Sequence, residues 1–365
     1  MTDYTKIVKS LPETVPFVGP ETQERDLGFS FISRLGANES VFGPSKSALD
    51  IIKSEGSKVW QYGDPECYEL RTELARKHGV SLENIVVGEG IDGLLGYLIR
   101  LFVSIGDNVV TTDGAYPTFN YHVLGFGGNL LKVPFSNDTE DLNALLDEAV
   151  RSKAKIVYCS NPNNPMGSVN DPKRLLSFLE ELPPKCVLCL DEAYCDFLDG
   201  NMLPNISIDH PNVIRMRTFS KAYGLAGLRC GYALACKDLI KSFDKIRNHF
   251  GVNKVAQSAA VASLNDNEHI LTIKKRVRSS LDKLSEIAIK NDCIPIYSNA
   301  NFLSIDCRRD ASFTKKLVDE LARRKVFVRR PFSYPQNRCV RVSAGTDDDM
   351  RHFEKAFKDV LTSIN

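Results

Sequence analysis

The chain lacks a surplus of either charge: 47 Lys and Arg against 46 Asp and Glu leave a formal net charge of +1. No global field therefore recruits nucleic acid or an anionic membrane. Long hydrophobic runs are missing as well. The longest, Leu94 to Ile105, is broken by Gly96 and Arg100 and is too short to span a bilayer. The opening Met1-Thr2-Asp3-Tyr4-Thr5-Lys6 has no basic stretch leading into an apolar one, so a secretory signal is not expected. Cysteine is dilute, 10 at irregular intervals in 365 residues, which excludes a disulfide scaffold and points to reduced thiols in a cytoplasmic protein. Fixed-period repeats, low-complexity tracts and charge runs are absent too. What remains, 43% hydrophobic and 25% charged residues, is the composition of a globular protein long enough for two domains.

Cys186-Val187-Leu188-Cys189 has the form of a redox or zinc pair. It sits in a short apolar run that reads as a buried strand, where residues three apart face opposite sides. No second pair with zinc spacing exists, so these are expected to be core cysteines, and no metal site is expected.

In the first thirty-odd residues Pro12, Pro16, Gly19 and Pro20 stand too close together for a regular element, which predicts an irregular arm over residues 1–35. From Asn84 onward short apolar runs alternate with helical patterns. Candidate strands are Ile85 to Val87, Asn108 to Thr112, Lys155 to Cys159, Val187 to Leu190, Val213 to Met216 and Cys230 to Ala235. Such alternation predicts an α/β fold, a mostly parallel sheet flanked by helices, over residues 36–250. Beyond Asp238 the texture changes to long helices, such as His269 to Asn291, with strands near Phe302, Val326 and Val340. Residues 251–365 are therefore expected to form a smaller α+β domain, which the N-terminal arm joins.

Gly88-Glu89-Gly90-Ile91-Asp92-Gly93 follows a candidate strand and opens a helix, and Asp113 stands twenty residues further on. This matches the dinucleotide fingerprint with its ribose-binding acid. The physics is less specific, because any glycine-rich turn into a helix N-terminus offers free N–H groups to a phosphate. The turn could equally be a tight strand-to-helix connection and nothing more.

Further loops follow the other strands: Asp113 to Pro117, Ser160 to Gly167, Asp191 to Tyr194, and Thr218 to Gly231. In open α/β sheets ligands collect beyond the carboxyl ends of the strands, so these loops are expected to share one crevice. Asp191 ends an apolar strand, where an unpaired charge is costly and calls for a cationic partner. Lys221 follows the next strand beside Ser220 and Thr218, with Arg229 eight residues on. A nucleophilic amine, a buried acid for a pyridinium nitrogen, hydroxyls with an arginine for a phosphate, and an aromatic for stacking are together what pyridoxal 5'-phosphate demands. Singly each residue is weak: a loop lysine is usually solvated, and Asp-Glu-Ala-Tyr could simply start a helix. No G-x-x-x-x-G-K-[ST] occurs, which removes a P-loop.

Asn161-Pro-Asn-Asn164-Pro-Met-Gly167, Leu190-Asp-Glu-Ala-Tyr194 and Thr218-Phe-Ser-Lys-Ala-Tyr-Gly-Leu-Ala-Gly-Leu-Arg-Cys-Gly231, in that order, resemble the fold type I aminotransferases. Within them the chain is most similar to the histidinol-phosphate aminotransferases, from Asn38-Glu39 to Arg341. The resemblance implies that Lys221 joins the cofactor as a Schiff base and later shuttles a proton. Asp191 would bind the ring nitrogen, Asn164 and Tyr194 the ring hydroxyl, and Tyr116 would stack on the ring. Gly90, Ile91, Asp92, Ser220 and Arg229 would hold the phosphate. It further implies a homodimer in which Tyr62 reaches the partner's phosphate. Arg341, Asn38 and Arg329 would bind the substrate, Arg341 at a carboxylate and Arg329 at a phosphate. The partners implied are an amino donor (histidinol phosphate or an aromatic amino acid) and the acceptor 2-oxoglutarate.

Three residues depart from the family pattern: Met166 for a usual Thr, Ile91 for Ala and Gly93 for Glu. Met166 is expected to remove a hydroxyl near the ring. Two other activities compete. A threonine-phosphate type decarboxylase shares the scaffold, and Tyr62-Gly-Asp-Pro65 resembles that group too; it would release carbon dioxide in place of a keto acid. A nicotinamide oxidoreductase rests on the glycine motif and leaves Lys221 idle.

Overall fold

The computed structural model describes residues 3–13 and 18–364. The N-terminal stretch is more regular than its prolines suggested, with helices α1 (Lys6–Ser10) and α2 (Pro20–Leu27). Pro20 stands at the first turn of α2, where its missing N–H costs nothing, and Gly28 closes the helix at φ 75°. Pro16 lies outside the described residues. After β1 (Ser33–Arg34) come α3 (Lys46–Glu55) and α4 (Tyr68–His78).

The alternating part then begins with β2 (Ile85–Gly88), α5 (Gly90–Phe102), β3 (Asn108–Thr112), α6 (Pro117–Gly125) and β4 (Asn129–Val133). A small hairpin of β5 (Phe135–Ser136) and β6 (Thr139–Glu140) leads to α7 (Leu142–Ser152), β7 (Ile156–Ser160), α8 (Pro172–Glu181) and β8 (Val187–Asp191). Next are β9 (Val213–Thr218), β10 (Gly231–Leu234) and α9 (Lys237–Phe243). The seven-stranded sheet has the order β2-β10-β9-β8-β7-β3-β4, and only β10 runs against the rest. Strands β7 and β8 are buried along their whole length, as parallel strands covered on both faces must be. One face packs Leu94, Leu98 and Phe243 against Val109, Ile156 and Ile214. The other packs Leu145 and Phe178 against Val157 and Leu188. Cys189 belongs to the first layer and Cys186 to the second, so the two sulfurs lie on opposite sides of the sheet.

Helix α10 (Lys254–Leu264) lies against α3 and α4 through Ala256, Ala259 and Ala260. Residues just past 250 therefore pack with the large body, not with the smaller one. The smaller body starts with α11 (Asn267–Lys290) and continues through β11 (Ile294–Ile296), β12 (Phe302–Asp306), α12 (Ala311–Arg323), β13 (Val326–Phe327), β14 (Cys339–Ser343) and α13 (Asp347–Ile364). Its antiparallel sheet has the order β11-β12-β14, and Val277, Leu284, Ile305, Val340, Phe353 and Phe357 fill its core. The chain after α2 joins this body: β1 pairs in parallel with β13, and Leu35 is buried in the same core.

Candidate active site

The turns that follow β2, β3, β7, β8 and β9 converge on one cleft of about 870 Å³. Ile91, Asp92, Tyr116, Asn164, Asp191, Tyr194, Ser220, Lys221 and Arg229 line it from the large body. Asn38, Arg329 and Arg341 line its other wall. Gly90 stands just behind, at φ 74°; a Cβ there would come within 2.6 Å of Arg229 Nη2. Of the expected residues only Tyr62 lies away from the cleft. It is 80% exposed and rests on Phe250, ring centroids 4.8 Å apart.

Helix α5 carries no side-chain cap, so its first-turn N–H groups stay available to an anion. Arg229 reaches over that turn. Its Nη2 donates to Asp92 Oδ2 at 3.1 Å and its Nη1 to Ser220 Oγ at 3.3 Å. Tyr116 turns its hydroxyl to Asp92 Oδ1 at 2.8 Å, and burial together with the Asp92 charge raises its pKa.

Asp191 and Glu192 are neighbours in sequence and opposites in environment. Glu192 meets Arg215 at 2.8 Å and Arg217 at 2.7 Å. Burial alone would raise its pKa, but the two guanidinium groups outweigh that and hold it below the usual carboxylate range. Asp191 is only 4% exposed, and among the described residues no cation pairs with it. It accepts the Tyr158 hydroxyl at 2.6 Å and the Ala193 N–H at 2.9 Å. Burial pushes its pKa up to about 6 despite those two bonds. The cationic partner expected for Asp191 is thus not a side chain among the described residues.

Lys221 directs Nζ to the Asn38 carbonyl at 3.3 Å, and Nζ lies 5.7 Å from the centre of the Tyr194 ring. Asn38, held at φ 57°, donates from Nδ2 to the Tyr194 hydroxyl at 2.9 Å. Arg341 gives one N–H to Asn164 Oδ1 and another to the Gly36 carbonyl at 2.9 Å. Arg329 forms an antiparallel backbone bridge with Arg341, and its Nη2 donates to the Val18 carbonyl at 2.6 Å. Burial and then the Arg341 charge bring its pKa down to about 10.

One expectation needs correction and one competing reading falls. Met166 does not line the cleft: it is buried against Phe135 and Cys339, so its missing hydroxyl faces another core. The dinucleotide reading fails on topology. β2 and β3 are at positions one and six of the sheet, not adjacent, so the glycine turn and Asp113 do not share a βαβ unit. Asp113 instead pairs with Lys132 at 3.3 Å and accepts from Ser333.

Sequence reasoning passed over Tyr158 and Glu140. Glu140 is buried and accepts from the Ser160 N–H at 3.2 Å and the Ser160 hydroxyl at 2.8 Å, fixing the start of the Asn-Pro loop. The available signal for Tyr158 was a phenol set among the apolar Ile156, Val157 and Cys159.

Residues 32–357 match the family described as aminotransferase class I and II. The chain belongs to this family. It is a pyridoxal 5'-phosphate-dependent aminotransferase of fold type I. The chain is 35% identical to histidinol-phosphate aminotransferase 2 of Carboxydothermus hydrogenoformans, over 98% of each chain. It is 32% identical to histidinol-phosphate aminotransferase of Moorella thermoacetica, over 97% of this chain and 92% of the relative. Histidinol-phosphate aminotransferase of Sinorhizobium meliloti, solved in complex with pyridoxal-5'-phosphate, superposes with a TM-score of 0.97 at 44% identity, covering 100% of this chain and 99% of the other. No helix among the described residues is long and apolar enough to cross a membrane.

Proposed function

We propose that this aminotransferase takes histidinol phosphate as its amino donor and 2-oxoglutarate as acceptor, and that it works in the cytoplasm as a homodimer. The observation that carries the substrate reading is the pair of cations, Arg341 and Arg329, on adjacent backbone in one wall of the cleft. One suits a carboxylate and the other a second anion, and the relatives cited above bear the corresponding name.

The residues fit the cofactor. A buried carboxylate without a cation suits a protonated ring nitrogen, and the uncapped turn of α5 with Ser220 and Arg229 suits a phosphate. Bound there, pyridoxal phosphate supplies an electron sink for the bond broken at the amine-bearing carbon. In this reading Asp191 keeps the ring nitrogen protonated. Asn164 and Tyr194 bond the ring hydroxyl, and Tyr116 flanks the ring. Gly90, Ile91 and Asp92 offer their N–H groups to the phosphate. Lys221 would take the proton from the substrate carbon and return it to the carbon on the far side of the nitrogen, a 1,3-transfer. Asn38 orients both Lys221 and Tyr194 while facing the substrate end of the cleft. Residues 36 to about 266 make the cofactor domain and the remainder the small one, joined by the N-terminal arm. The decarboxylase alternative has no observation of its own in its favour.

The test of the substrate is Arg329→Ala. Loss of a charge-assisted, bidentate contact to a phosphate costs on the order of 2–4 kcal/mol in kcat/KM. Phenylalanine and tyrosine carry no charge at that end, so the variant should lose histidinol phosphate and keep the aromatic donors. Steady-state kinetics with both donors decide it: equal losses, or a wild type that prefers aromatic donors, would move the assignment to an aromatic aminotransferase.

Tyr62 supports the dimer, because a tyrosine this exposed beside Val59, Trp60 and Phe250 forms an apolar patch fit to be covered. Tyr62→Ala should stay dimeric by light scattering yet bind the cofactor about tenfold more weakly. A monomeric wild type would remove the assignment.

A further inference from the structure

Tyr158 stands in the middle of β7, between Ile156, Val157 and Cys159 with Ser160 at the strand's end, and every residue of the strand is buried. A tyrosine wholly inside a sheet has to find a partner for its hydroxyl. The strand register supplies one. Tyr158 lies opposite Cys189 on β8, and Asp191 lies two residues further along on the same face. That diagonal is within reach of a long aromatic side chain. The hydroxyl donates to Asp191 Oδ2 at 2.6 Å, a separation proper to an O–H bonded to an ionised carboxylate.

The direction of that hydroxyl is set by packing. The Tyr158 ring lies on Phe119, centroids 4.5 Å apart and planes 20° from parallel. Asp191 Oδ1 is separately fixed by the Ala193 N–H at 2.9 Å. We propose that Tyr158 is a positioning residue of the aminotransferase reaction, whose hydroxyl holds Asp191 ionised and aimed at the cofactor's ring nitrogen. This rests on the reading of Asp191 given above.

The electrostatics make the hydroxyl necessary. Burial is the main force raising the Asp191 pKa, and Asp92 on α5 and Glu140 at the end of β6 add to it as like charges. Lys221, Arg229 and Arg341 line the same cleft, but none pairs with Asp191 among the described residues. The two hydrogen bonds are what oppose protonation, and Tyr158 supplies the one from a side chain. Burial and the Asp191 charge keep the Tyr158 hydroxyl far above its ordinary pKa, so it remains a donor. Phenylalanine would fill the same space and stack equally on Phe119. Only the hydroxyl would be lost.

The experiment uses the full chain, freed of cofactor and reconstituted, as wild type, Tyr158→Phe, Asp191→Asn and the double variant. Two probes are titrated by fluorescence: pyridoxal 5'-phosphate, and its 1-deaza analogue, in which a carbon replaces the ring nitrogen. Tyr158→Phe should bind pyridoxal phosphate about tenfold more weakly while binding of the deaza analogue changes less than about twofold. In the Asp191→Asn background the second change should add nothing. Turnover should fall in kcat with the KM for the amino donor little altered. Equal weakening for both probes, no weakening for either, or additive losses in the double variant would reduce Tyr158 to a packing residue. If Asp191→Asn separates the two probes and Tyr158→Phe does not, only this inference falls. If neither variant separates them, the assignment of Asp191 falls with it.

Discussion

Lys221→Ala is expected to lower turnover by at least about a thousandfold while leaving the fold intact. Proton transfer by a positioned side chain accounts for roughly 10²–10⁴ in rate, and in the proposed reading the same amine would also tether the cofactor. The backbone around it is fixed by its neighbours: Phe219, Ala222 and Tyr223 are all buried, so the turn after β9 presents Lys221 to the cleft without help from its own side chain. Among the described residues no carboxylate pairs with Nζ; its contacts are the Asn38 carbonyl and the Tyr194 ring. Truncation therefore orphans no buried charge, and the melting temperature should shift by only a degree or two. Borohydride reduction of the loaded wild type, followed by peptide mapping, should mark residue 221. A mark on another lysine, or near-normal turnover in the variant, would defeat the assignment.

The large sheet could be read from the sequence because its strands are buried on both faces and so appear as short unbroken runs such as Ile156-Val-Tyr-Cys-Ser160. The cleft could be read because parallel strands place their following loops at one edge, whatever the strand order. Strand order itself could not. Gly88 to Gly93 has the same spacing whether β2 borders β3 or, as found, lies at the far edge beside β10, and only pairing separates those cases. Edge strands were missed for a related reason: β4 carries exposed Asn129 and Lys132, and β11 contains Pro295, tolerated only at an edge. Pro20 misled because proline disrupts helix interiors yet favours helix starts. Where α10 packs could not be read from the sequence, because it is alanine-rich and its partners, α3 and α4, stand some two hundred residues earlier. Tyr158 could not be linked to Asp191 from spacing, since their contact depends on the register of β7 against β8.

Asp191→Asn should do two opposite things: stop the loaded enzyme and steady the empty one. An amide cannot hold the ring nitrogen protonated by charge, so turnover should fall by about 10²–10⁴ while the cofactor still binds through its phosphate contacts. The stability effect follows from the upward shift. Burial raises Asp191 to about 6 in the folded chain, against about 4 for an unfolded aspartate. For an acid raised on folding, the protonated form is favoured in the native state. Its stability is fully present below about pH 4 and is lost as pH rises through about 6. The loss is on the order of 3 kcal/mol when complete. Asparagine keeps the volume and can still accept the Ala193 N–H, while its Nδ2 donates to the Tyr158 hydroxyl in place of the carboxylate oxygen that accepted from it. It never ionises, so the cofactor-free variant should melt a few degrees above wild type at pH 8. At pH 4 the difference should vanish, because wild-type Asp191 is then itself neutral. Calorimetry of both cofactor-free proteins at the two pH values measures this. A gain that is the same at pH 4 and pH 8 would trace it to packing instead of charge. No gain at pH 8 would mean that Asp191 is not a carboxylate strained by its site.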